Sequence, residues 1–98
     1  MSQTENTIKH NSYFEGNVQS LGLSTEKGPA TVGVMKKGTY TFSASSPETM
    51  LVISGTLKVR NADGSYNTYK AQEQFEVASG SSFDVLCEED AAYICYYC

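Results

Sequence analysis

Few side chains in this sequence are able to do chemistry, and their spacing narrows what they could do. There is one histidine, His10, in a polar opening stretch, so no Ser/His/Asp triad suggests itself. Cys95-x-x-Cys98 has the spacing of half a metal or redox motif. Residues three apart on a strand point to opposite faces, however, and only Cys87 and His10 remain as helpers, so buried or terminal thiols are the default. Ser43, Ser45 and Ser46 precede Pro47, which fixes φ, and these serines form a turn whose hydroxyls and N–H groups could also cradle an anion. Glu48 follows at once. It is either a solvated turn carboxylate or an acid carried inward by the strand that starts there. No Gly-rich phosphate loop is present, and Lys36 and Lys37 read as a solvated turn.

The elements that must position these groups are short strands. Thr31–Met35 is a strand closed by the turn Lys36-Lys37-Gly38, and Thr39–Ser43 alternates so that Tyr40 and Phe42 share a face. Met50–Ile53 is apolar on both faces, which predicts a central strand, and Gly55 marks a bulge or barrel corner after it. Beyond Gly55 the pattern is one-sided, with Leu57 and Val59 inward and Lys58 and Arg60 in water. Asp63-Gly64 predicts a tight hairpin turn, with Tyr66–Tyr69 returning from it. Phe75–Val77 and Phe83–Val85 flank the turn Ser79-Gly80-Ser81, and Ala92–Tyr97 is an aromatic closing strand. No helical period exceeds one turn. Many short strands with evenly spaced turns predict an all-β sandwich or small antiparallel barrel.

The 98 residues allow one domain, and a domain this small buries only about two-thirds of its unfolded surface, which makes oligomerisation a natural source of stability. Residues 1–10 read as a disordered polar leader and residues 11–98 as the barrel domain. Seven Lys and Arg against eleven Asp and Glu give a net charge of −4, which argues against nucleic-acid partners and requires any small anion to be held locally. No apolar run approaches a membrane span and the leader is not a secretory signal. Three cysteines without framework spacing suit a reducing cytoplasm.

Along Asn11–Tyr97 an ordered set of words resembles a known family. They are Tyr13-Phe14-x-Gly16-x-Val18-x-Ser20-x-Gly22, Val32-Gly33-Val34-Met35-x-x-Gly38-x-Tyr40-Thr41-Phe42, Pro47-Glu48-x-Met50, Val52-Ile53-Ser54-Gly55-x-Leu57, Tyr69-x-Ala71, Phe75-x-Val77, Ser81-x-Phe83 and Tyr93-x-Cys95-x-Tyr97. The sequence resembles the small single-domain cupins described as pyrimidine/purine nucleoside phosphorylases. It departs from them at Thr39, where the family usually has Glu, and at Gln72, Ala78 and Tyr66, which replace Gly, Pro and Trp.

The resemblance implies a single-domain cupin, an antiparallel jelly-roll-like β-barrel. Metal cupins place a Glu seven positions before a strand glycine, and Glu48 stands so before Gly55. Their two upstream histidine slots fall at Phe42 and Ala44, or at Thr41 and Ser43, and the later slot falls at Phe83. A lone carboxylate does not hold a first-row metal ion, so the expectation is a pocket without metal or other cofactor, lined by aromatics.

What the resemblance implies is a glycosyltransferase reaction of broad base specificity, in which orthophosphate displaces a purine or pyrimidine to give ribose 1-phosphate. Glu48 is then the catalytic candidate, contacting ribose hydroxyls or steadying charge at the anomeric carbon. Tyr40, Phe42 and Phe83 are candidates for stacking the base, beside the alternative that they are plain core. Met50, with Val52, would form an apolar wall, and Ser43 and Ser46 would help with phosphate. Leu51 and Ile53 face away from that pocket and need covering, which predicts a homodimer. Two other classes stay open: a non-catalytic small-molecule-binding cupin and a metal-dependent cupin oxygenase.

Overall fold

The computed structural model describes residues 7–61 and 63–97. Among the described residues ten strands run in chain order as β1 (His10–Tyr13), β2 (Val18–Thr25), β3 (Gly28–Met35), β4 (Gly38–Ser43), β5 (Glu48–Ser54), β6 (Thr56–Arg60), β7 (Tyr66–Lys70), β8 (Gln74–Val77), β9 (Ser82–Cys87) and β10 (Ala91–Tyr97). The chain is thus already in a strand at His10, the last residue of the expected leader, while residues 1–6 of that leader lie outside the described residues. β2 and the first residues of β3, before the expected strand Thr31–Met35, are the part that the sequence pattern left unassigned. Gly and Ser at alternate positions of β2 weaken its period.

The strands form two antiparallel sheets, β1-β2-β3-β10-β5-β8 and β4-β9-β6-β7. Their inner faces meet in a core centred on Val18, Met35, Val52, Leu57 and Val85, each 0% exposed. Gly55 forms a one-residue corner that carries the chain from β5 of the larger sheet into β6 of the smaller. Its φ is +83° and a Cβ there would come within 2.9 Å of the Asp90 carbonyl oxygen, so both backbone conformation and space exclude a side chain. The expected bulge sits just before it: Ala92 pairs with Ser54 but Tyr93 with Val52, which leaves Ile53 as the extra residue. The turn at Asp63-Gly64 is wider than a tight hairpin. Asn61 N–H donates to the Ser65 carbonyl at 2.7 Å and Gly64 N–H to Asn61 at 3.0 Å. No helix among the described residues is long and apolar enough to cross a membrane.

Candidate active site

The inward residues of the two sheets do not fill the space between them at one end. A cavity of about 470 Å³ remains there, within the usual size range for small-molecule sites. The smaller sheet supplies an aromatic wall. Phe42 on β4 and Phe83 on β9 are directly paired in register, their ring centroids 5.7 Å apart. Phe14 closes the wall at the mouth, edge-on to Phe42 at 5.6 Å. It gets there through a one-turn segment, Phe14–Gly16, in which Phe14 and Glu15 hold φ of +53° and +60°. Left-handed backbone at a bulky residue is strained, and here it lies at the pocket rim.

The larger sheet supplies the polar wall. Glu48, Met50, Tyr93, Cys95, Tyr97 and Ser20 all project into the cavity from β5, β10 and β2. Glu48 is partly buried, and Cys95 Sγ donates to its Oε1 at 3.4 Å. Burial raises the Glu48 carboxyl above the ordinary value, and the thiol hydrogen bond pulls in the opposite direction. Tyr97 shares a hydrogen bond of 3.0 Å with Thr31 and is pushed up to about 12, chiefly by burial. Tyr93 is raised further, first by burial and then by the titratable groups of Tyr97, Cys95, Tyr13 and Glu48 beside it. Among the described residues the lining holds no Lys, Arg or His, and no three His, Cys, Asp or Glu side chains gather as a metal would require.

Of the residues singled out in the sequence, Glu48, Phe42, Phe83, Met50 and Ser43 come together in this cavity. Ser43 hydrogen bonds to Ser82 at 3.1 Å on the rim. Tyr40 does not line the wall but stands behind it. It is 7% exposed, donates its hydroxyl to the Lys36 carbonyl at 2.6 Å, and supports Phe14 at 5.0 Å. Ser46 is outside the lining. Thr39, where the resembled pattern usually has Glu, is exposed on β4 and is not part of the lining. Phe75 is core, stacked on Tyr69 at 4.6 Å. Cys98, the second half of the Cys-x-x-Cys pattern, lies outside the described residues.

Sequence reasoning missed Phe14, Ser20, Tyr93, Cys95 and Tyr97 as site residues. The common parity of residues 93, 95 and 97 was the available signal.

Two antiparallel sheets enclosing a cavity give the chain the fold of a cupin-type β-barrel. The fold agrees with that of an RmlC-like cupin from Shewanella frigidimarina, at a TM-score of 0.69 and 19% identity over 97% of this chain and 86% of that one. A protein of unknown function from Vibrio parahaemolyticus is more similar, with a TM-score of 0.88 and 41% identity over 94% of this chain and 99% of that one. Residues 8–97 match the family model described as pyrimidine/purine nucleoside phosphorylase, and the chain belongs to that family. Curated relatives bearing the same name include one from Vibrio cholerae, 48% identical over 92% of this chain and 96% of the relative, and one from Vibrio vulnificus, 50% identical over 92% and 98%.

Proposed function

We propose that this protein is a nucleoside phosphorylase of broad base specificity, a pentosyltransferase converting a purine or pyrimidine nucleoside and orthophosphate to free base and ribose 1-phosphate. The observation that carries this reading is membership of a family whose curated relatives, near 50% identical over nine-tenths of the chain, bear that name. The cavity supports it. A phosphate oxygen bonds to the anomeric carbon as the bond from that carbon to the base nitrogen breaks, and the bonding pair leaves on the base. The proton that hydrogen phosphate loses is the one the base gains, so no cofactor is needed.

Glu48 accepts hydrogen bonds from ribose hydroxyls and, when ionised, stabilises the oxocarbenium-like charge on the ring. Phe42, Phe83 and Phe14 pack the base by its faces. Stacking reads no base edge, which suits several bases. The test is release of base from uridine, inosine and guanosine with and without orthophosphate. A non-catalytic binding protein would show affinity without phosphate-dependent release.

The same reading includes a homodimer in a reducing cytoplasm. Leu21, Val32, Ile94 and Leu51 form one register row across β2, β3, β10 and β5, on the side of the larger sheet away from the cavity. Val34 and Ile53 beside this row are 56% and 46% exposed. A flat apolar row of this kind suits a second copy of the same face.

A further inference from the structure

Phosphorolysis needs a place for the nucleophile; among the described residues the cavity lining holds no cation, and of the serine turn only Ser43 reaches it, its hydroxyl already shared with Ser82 at 3.1 Å. Two buried hydroxyls on the larger sheet stand in one register row through Gly33: Ser20 on β2 pairs with Gly33, and Gly33 with Tyr93 on β10. Tyr93 is 6% exposed and Ser20 3%. The Tyr93 ring lies flat over Gly33, where a Cβ would overlap both the ring and its hydroxyl oxygen. Both residues line the cavity.

Buried tyrosine hydroxyls ordinarily find a partner, yet among the described residues that of Tyr93 has no hydrogen bond. Ser20 Oγ accepts from Asn11 Nδ2 at 3.2 Å, which leaves its own proton to be donated elsewhere. Among the described residues, the wall therefore presents two hydroxyl donors that no protein acceptor engages.

We propose that Tyr93 and Ser20 form the orthophosphate subsite of this cavity, a proposal that rests on the phosphorolysis reading. Three observations favour phosphate over the other parts of the substrate. Ribose hydroxyls are donors and match the acceptor Glu48, whereas phosphate oxygens accept. The base packs on the aromatic wall of the opposite sheet, so a nucleophile on the Tyr93 wall approaches the anomeric carbon from the side opposite the leaving group. Tyr93 also stands two residues along β10 from Cys95, whose thiol meets Glu48 Oε1, so the phenol and the carboxylate hold successive places on one wall. Burial keeps the phenol protonated, hence a donor, near neutral pH.

The experiment compares wild type, Tyr93→Phe and Ser20→Ala in two ways: calorimetric titration with inorganic phosphate, and steady-state KM values for phosphate and for inosine. Each variant is expected to weaken phosphate roughly 10- to 100-fold by both measures, as loss of a hydrogen bond to a charged group does, with the KM for inosine within about twofold of wild type. Tyr93→Phe should also keep or raise the urea midpoint, since it removes a buried hydroxyl that makes no hydrogen bond among the described residues. Unchanged phosphate affinity, or a rise confined to the inosine KM, overturns the subsite while phosphorolysis by wild type stands. If wild type neither binds phosphate nor releases base, the functional reading falls and the subsite with it.

Discussion

The thiol of Cys95 donates to Oε1 of Glu48 at 3.4 Å, although the two residues are 47 positions apart in the chain. They meet because β10 lies beside β5 with Cys95 opposite Met50 and Tyr97 opposite Glu48, which makes Cys95 and Glu48 diagonal neighbours on the cavity face. The contact holds the acid inside the cavity and moderates the cost of its burial.

Glu48→Gln is expected to lower kcat for inosine and uridine by about 100- to 1,000-fold, the scale of losing one electrostatic stabiliser of a transition state. The same variant tests the burial of the acid. Because the folded-state value is raised above 4.5, ionisation of Glu48 disfavours the folded protein, and wild-type stability falls as pH rises from below 4.5 through the raised value. Urea midpoints of wild type and Glu48→Gln should therefore agree near pH 4, and the variant should match or exceed wild type at pH 7.

Cys95→Ala removes the hydrogen bond that lowers the Glu48 value and leaves the desolvation that raises it. The acid limb of the kcat/KM profile should shift to higher pH in this variant, and Cys95→Ser should restore it toward wild type. An unmoved limb in Cys95→Ala would separate the thiol from the titration of Glu48.

Much of this site is legible in the sequence because it depends on local alternation. Tyr40 and Phe42 share a face by parity, and Gly55 marks the corner that follows the strand of Glu48 and Met50. The remainder depends on pairing between distant strands. Tyr93, Cys95 and Tyr97 read as a closing core strand until the register of β10 against β3 and β5 turns them toward a space their neighbours do not fill. Tyr40 had the right parity but the wrong depth, since its ring reaches the Lys36 carbonyl behind the wall. Phe14 was hidden for another reason: local propensity gives no cause to expect positive φ at Phe or Glu.

Gly33→Ala places a methyl group where the Tyr93 ring lies. Overpacking of this kind should cost about 1–3 kcal/mol, read from urea denaturation. Because the ring must move, phosphate KM should rise in the same variant more than the nucleoside KM does.

Val32→Glu puts a charge at the centre of the apolar row, between its register partners Leu21 and Ile94. Wild type is expected to sediment as a dimer and the variant as a folded monomer with an unchanged far-ultraviolet spectrum. A wild-type monomer at micromolar concentration would remove the proposed interface.

The most direct test of the central claim is to incubate the pure protein with inosine and quantify hypoxanthine and ribose 1-phosphate, with and without orthophosphate. The account predicts equal amounts of both products, formed only when phosphate is present and nearly abolished by Glu48→Gln. No base release, or release that does not depend on phosphate, would contradict it.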